Sequence, residues 1–169
     1  MAKNLPVSLA YGTHLASLIK AVEKTTGDIL ELGTGLFSTP YLRYVCMLSG
    51  RKLVSYENFE SWYNFIRKYY EDNDNHKMYL IDEYKNAPVD RDWDIVLIDQ
   101  TPDSSRTEEI IRLKDKAKYI VIHDANSSND KVTHYSKIYP LFKYRTDWTG
   151  DNNRATVLSN LVPLEDFWQ

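Results

Sequence analysis

Asp28-Ile29-Leu30-Glu31-Leu32-Gly33-Thr34-Gly35-Leu36-Phe37-Ser38 decides how the rest of the chain is read. A short apolar run ends on two glycines and is followed by a stretch with helical character. Glycines at such a bend let the chain turn tightly and let a ligand approach the backbone. From Gly33 the pattern is G-x-G-x-x-S, one residue away from the dinucleotide-binding fingerprint. Ser38 or Thr39 is placed to cap the following helix, with Pro40 in its first turn, where proline is tolerated. That helix is expected to run to about residue 48 and to stop at Ser49-Gly50.

Outward from this unit the same alternation repeats. Residues 52–57 read as a strand ending on Glu57, and residues 60–70 as a helix with Trp62, Phe65, Ile66 and Tyr69 on one face. Strands over 77–81, 94–98 and 119–122 end at Asp82, at Asp99 and at His123-Asp124. A turn at 88–92 and a helix at 106–113 separate them. Upstream, Leu15, Leu18, Ile19 and Val22 recur at helical spacing, so residues 7–25 form a lead-in helix that Gly27 stops. Residues 141–148 and 155–160 read as strands whose joint is too short for a crossover helix, which makes them an antiparallel hairpin. Alternating strands and helices give a mainly parallel sheet covered on both faces. Ligands of such sheets sit at the carboxyl ends of the strands, and the polar residues Glu57, Asp82, Asp99, His123 and Asp124 gather there.

Composition narrows the class. The chain has 169 residues, 43% hydrophobic and 27% charged, as in a soluble globular domain. Cys46 is the single cysteine, which excludes an internal disulfide and a cysteine-based zinc cluster. It lies in an apolar run and reads as core packing. A net charge of −3 lacks the basic footprint of a nucleic-acid binder, so no nucleic acid partner is expected. With no signal-like start and no membrane-length apolar run, the expectation is a cytoplasmic protein with no membrane partner. The C-terminal Leu161 to Leu164 and Phe167-Trp168 pack either on the domain or on a second subunit, which leaves a homo-oligomer open.

The ligand of the glycine bend follows from charge. A pyrophosphate needs a helix N-terminus free of carboxylates, yet Glu31 stands two residues before Gly33 and Ser38 replaces the third glycine. A carboxylate there suits an ammonium or sulfonium ligand instead. The motif from Glu31 to Ser38, Glu57, Asp82 and Asp99 after successive strands, and the closing hairpin together resemble class I S-adenosylmethionine-dependent methyltransferases, over about residues 10–160. The resemblance implies a three-layer α/β/α sandwich around a seven-stranded mixed sheet of order 3-2-1-4-5-7-6, the last strand antiparallel. It implies a single domain over residues 1–169: a lead-in segment at 1–27, a nucleotide-binding core at 28–125 and the hairpin at 139–160. It implies that Glu31, Gly33, Thr34, Gly35 and Ser38 line the methionine half of S-adenosylmethionine, that Glu57 with Asn58 holds the ribose, that Asp82 and Glu83 meet the adenine, and that Asp99 and Gln100 flank the methyl group. Tyr11-Gly12-Thr13-His14 resembles the lead-in helix of small bacterial members, which folds over the cofactor. His14 as a helix-cap or surface histidine is the rival reading.

For the chemistry, Asp99, His123 and Asp124 are the candidate catalytic groups. His123, with an unperturbed pKa of about 6.5, is the natural general base for a hydroxyl acceptor; a structural histidine is the alternative. Some metal-dependent O-methyltransferases bind magnesium through an aspartate after the fourth strand and an Asp-Asp or Asp-Asn pair after the fifth. Here the pair is His123-Asp124, and Asn126 stands at a different spacing, so magnesium is not favoured. Asp99-Gln100-Thr101-Pro102 replaces the Asn/Asp-Pro-Pro-aromatic motif of amino-group methylation of DNA or protein glutamine, which argues against that substrate class. Arg106 reads as a surface salt-bridge residue, with pairing to the cofactor carboxylate as the alternative. The expected reaction is methyl transfer to oxygen of a small-molecule or sugar-like acceptor. The alternatives are a nicotinamide-dependent oxidoreductase and a non-catalytic S-adenosylmethionine-binding domain.

Overall fold

A computed structural model describes residues 9–148, 150 and 155–169. The beginning of the expected lead-in helix and most of the hairpin joint lie outside the described residues. The strands are β1 (Ile29–Leu32), β2 (Leu53–Glu57), β3 (His76–Leu80), β4 (Trp93–Ile98), β5 (Ala117–His123), β6 (Tyr144–Trp148) and β7 (Ala155–Ser159). They form one seven-stranded sheet of order β3-β2-β1-β4-β5-β7-β6. β1 pairs in parallel with both β2 and β4, and β7 runs antiparallel to both β5 and β6. Both the alternation and the short tail hairpin are therefore realised as expected.

The principal helices are α1 (Leu15–Glu23), α2 (Ser38–Ser49), α3 (Glu60–Arg67) and α4 (Arg106–Leu113). Leu18 and Ala21 of α1, and Leu42 and Cys46 of α2, pack with Ile29, Leu53, Ile95, Leu97 and Val121 on one face of the sheet. Ile110 and Leu113 of α4, with Tyr135 and Ile138, pack with Leu30, Leu32, Val96, Ile98, Ile120 and Ile122 on the other. Side chains alternate across a strand, so the uninterrupted apolar runs of β4 and β5 feed both cores. Ile95, Val96, Leu97 and Ile98 are each 0% exposed, and each such burial is worth about 1.5–3 kcal/mol. Cys46 is buried among them, and burial pushes its thiol up to about 11. Leu164 and Phe167 join the first face, and Trp168 donates from Nε1 to Thr146 Oγ1 at 2.8 Å. The tail thus packs on its own sheet.

Local structure departs from the sequence reading in three places. The lead-in is a 3-10 turn (Leu9–Gly12) followed by α1, with Thr13 and His14 between them. Neither Ser38 nor Thr39 caps α2: Phe37 is the N-cap and no side chain bonds there. Thr39 Oγ1 instead accepts from Gly35 N–H at 2.9 Å and donates to the Glu31 carboxylate. The stretch after β3 holds a 3-10 segment at Tyr84–Asn86, ahead of the turn at 88–92 that the sequence marks. The other end of α2 is as expected, with Gly50 left-handed at φ 74°.

Candidate functional site

The bend after β1 is held by contacts only tertiary structure can make. Gly33 has φ +88°, and a Cβ there would stand 2.5 Å from the backbone of Asp99. The bend therefore lies flat against the end of β4, and any side chain would push the two apart. Gly35 is less constrained, since its Cβ would meet only the Ser38 hydroxyl, at 2.9 Å. The carboxylate of Glu57 clamps the bend from β2. Its Oε2 accepts from Thr34 N–H and Thr34 Oγ1, both at 3.0 Å, while Oε1 accepts from Asn58 N–H at 3.0 Å and Phe59 N–H at 2.9 Å. Trp62 Nε1 of α3 donates to the Thr34 carbonyl at 2.8 Å.

Above this bend lies a cavity of about 450 Å³ at the carboxyl ends of the strands. Thr34, Gly35 and Glu57 line one side; Asp99, His123 and Asp124 line the other. Tyr11, Phe59 and Trp62 add aromatic surface, and Thr101, Asp103 and Arg106 complete the polar wall. Six of the residues expected at the site thus meet in one crevice.

The other candidates do not line it. Glu31 lies beneath the bend, 0% exposed, with Ser55 Oγ donating at 2.6 Å beside the Thr39 bond. Complete burial pushes its pKa up to about 7 against those hydrogen bonds, so it supports the loop from below. Gly33 shapes the bend, and Ser38 is buried behind it. Asn58 is half-buried outside the lining and contributes its backbone N–H to Glu57. Asp82 and Glu83 are exposed, and Glu83 pairs with Lys85. Gln100 is fully buried; Nε2 donates to Ser105 Oγ at 3.1 Å and the backbone carbonyl accepts from Arg106 Nε at 2.7 Å. His14 stands at the N-cap position of α1 but makes no side-chain capping bond, and it is buried rather than on the surface, with its ring edge-on to that of His123 at 4.7 Å.

Arg106, read from sequence as a surface residue, is the largest correction. It is 3% exposed and sits among Asp99, Asp103 and Asp124, with NH2 at 3.3 Å from Asp99 Oδ1 and 3.1 Å from Asp103 Oδ1, and NH1 at 3.9 Å from Asp124 Oδ2. The signal available in sequence was its position at the start of a helix just after the acid-tipped β4. Asp103 and the aromatic wall carried no comparable signal.

His123 Nδ1 is 2.8 Å from Asp99 Oδ1, and its Nε2 is 3.1 Å from Thr13 Oγ1. Burial disfavours the imidazolium, but the Asp99 hydrogen bond and charge prevail and raise the His123 pKa above its ordinary value. Burial likewise works to raise Asp99, but His123, followed by His14 and Arg106, holds its carboxyl below the usual range. The pair is polarised so that Asp99 fixes the ring and stabilises its charged form.

Neither a model of a known family nor a curated protein matches the chain in sequence. Solved structures do match in three dimensions. The N-terminal domain of human METTL16 superposes with TM-score 0.65 at 14% identity, over 95% of this chain and 74% of that one. Human methyltransferase-like protein 13 in complex with SAH gives 0.61 at 13%, over 94% and 85%. The human METTL16 catalytic domain in complex with MAT2A 3′UTR hairpin 6 gives 0.64 at 11%, over 95% and 73%. This chain has the class I methyltransferase fold.

These likenesses correct one expectation, the exclusion of nucleic acid. A domain of the same fold holds RNA hairpins. Net charge is a property of the whole chain, whereas phosphates are met by a local patch, so −3 overall excludes nothing of that kind.

Proposed function

We propose that this chain transfers the methyl group of S-adenosylmethionine to a hydroxyl oxygen of a small or sugar-like acceptor. The observation that carries the reading is the Asp99–His123 pair, 2.8 Å apart, on the wall of a cavity whose other wall is the Gly33–Gly35 bend. The residues present fit the cofactor. The cavity falls within the range of about 300–1,000 Å³ of small-molecule sites. Among the described residues its wall carries four carboxylates (Glu57, Asp99, Asp103 and Asp124) against one guanidinium, which suits a ligand with cationic sulfonium and ammonium groups. Arg106 offers the counter-charge for a carboxylate.

When bound, the cofactor supplies a methyl group on positive sulfur, open to in-line displacement. The chain then aligns the acceptor and takes its proton. Asp99 fixes the His123 ring through Nδ1, and the pair receives the hydroxyl proton as the new oxygen–carbon bond forms. Tyr11 and Phe59, half or more exposed at the rim, narrow the mouth against water. The fold shared with domains that hold RNA hairpins favours a second reading, in which the acceptor is an RNA.

Calorimetry with S-adenosylmethionine and its demethylated product tests the cofactor, and methyl transfer to a panel of hydroxylated metabolites and structured RNAs tests the acceptor. Binding of both cofactor forms with turnover on a hydroxyl compound is expected. Binding of neither removes the proposal.

A further inference from the structure

We propose that His14, His123 and Asp99 form a binding site for one divalent transition-metal ion, of the zinc, cobalt or iron type, under the wall of the cavity. One ligating atom from each residue lies within 4.8 Å of the other two. The inference does not depend on the methyl-transfer reading, although it shares Asp99 and His123 with it.

The observation that points to a ligand is the state of His14. The residue is 1% exposed, and among the described residues neither Nδ1 nor Nε2 has a hydrogen-bond partner. A buried polar group left unpaired costs about 1–3 kcal/mol, and His14 carries two. A neutral imidazole carries one N–H and one lone pair, so a ring with no bonding partner has an electron pair to offer an ion. The imidazole faces the His123 ring edge-on at 4.7 Å, and the hydrogen bond between His123 Nδ1 and Asp99 Oδ1 already holds the other two ligands together.

Charge and ligand chemistry select the occupant. Among the described residues, Asp99, Asp103 and Asp124 surround the Arg106 guanidinium, three carboxylates about one cation, a setting that receives a dication. Magnesium and calcium prefer all-oxygen shells, whereas two imidazoles and a carboxylate suit zinc, iron or cobalt. Bonds of about 2.0–2.2 Å place tetrahedral ligand atoms roughly 3.4 Å apart. Coordination requires the His14 ring to turn toward the other two ligands and the ion to take the place of the His123–Asp99 contact, so a metal-loaded chain lacks the proton-accepting pair and methyl transfer belongs to the metal-free chain.

The test uses the full chain, free of any affinity tag and stripped with a chelator, titrated with Co²⁺ and followed by visible absorption, with Zn²⁺ as competitor. One Co²⁺ per chain, displaced by Zn²⁺ and not by Mg²⁺, is expected. His14→Phe and Asp99→Asn should each weaken binding at least tenfold with unchanged circular dichroism. Absence of a Co²⁺ spectrum, or equal binding by the native and His14→Phe chains, overturns the site. Should His14→Phe fail to fold, proton NMR of the native chain decides: Co²⁺ must shift the ring protons of His14 and His123 and spare those of His76 and His134, and any other pattern overturns the site. Loss of the metal site with S-adenosylmethionine binding intact leaves the methyl-transfer reading standing.

Discussion

The two sides of the cavity are built from the same ingredients, acids at the ends of parallel strands, but use them in opposite ways. On the β1–β2 side the carboxylates are consumed by the protein. Glu57 fills all four of its acceptor positions with N–H and O–H groups of the chain, and Glu31 is sealed beneath the bend. On the β4–β5 side Asp99, His123, Asp124 and Arg106 pair with one another and still face the cavity. An acid at a strand tip is thus a loop clamp in one half and a side-chain partner open to the cavity in the other, depending on how many backbone donors surround it.

Substitutions can break this contrast, and the largest effect is expected at its hinge. Gly33→Val places a branched side chain 2.5 Å from the Asp99 backbone at a positive φ. Loss of several kcal/mol of stability is expected, read as a large fall in the urea midpoint, together with loss of S-adenosylmethionine binding. Next, Asp99→Asn should lower turnover about a hundredfold or more while the urea midpoint moves little. Glu57→Ala should do the reverse: it leaves Thr34, Asn58 and Phe59 N–H without their acceptor, so stability falls by about 3 kcal/mol and cofactor affinity falls with it. If Asp99→Asn unfolds the chain and Glu57→Ala does not, the contrast is wrong.

Glu31 gives a smaller, pH-dependent effect. Its folded pKa of about 7 lies above the unfolded value of 4.5, so between those values the folded chain binds more protons than the unfolded one. Its contribution to stability is full below about pH 4.5 and falls as pH rises to about 7, by about 3 kcal/mol. Glu31→Gln should remove that slope, so its stability relative to the native chain rises from pH 5 to pH 8 in urea denaturation. The smallest effect is expected at the exposed pair: Asp82→Ala with Glu83→Ala should change cofactor affinity less than twofold by calorimetry.

The site was partly legible in the sequence. Thr34, Gly35, Glu57, Asp99, His123 and Asp124 were found because each stands at the end of a strand that the apolar runs announce, and parallel strands bring their ends together. Asp82 stood at such an end too, yet β3 is the edge strand, and its tip turns to solvent. Arg106 was misread and the burial of His14 missed because burial of a polar side chain depends on partners distant in the chain; Arg106 meets the His123 carbonyl at 3.4 Å across 17 residues, and the His14 ring lies against His123.

By itself the sequence determined the order of the elements, the parallel sheet with its antiparallel tail and the position of the glycine bend. Those follow from hydrophobic periodicity and from residues with special backbone freedom, both local properties of the chain. Only the tertiary structure decided which acids are consumed as clamps and which pair with side chains across the cavity, and that two histidines and an aspartate converge at its wall. A carboxylate or imidazole acquires its role from the donors, charges and exclusion of water around it, and folding assembles those from segments far apart in the chain.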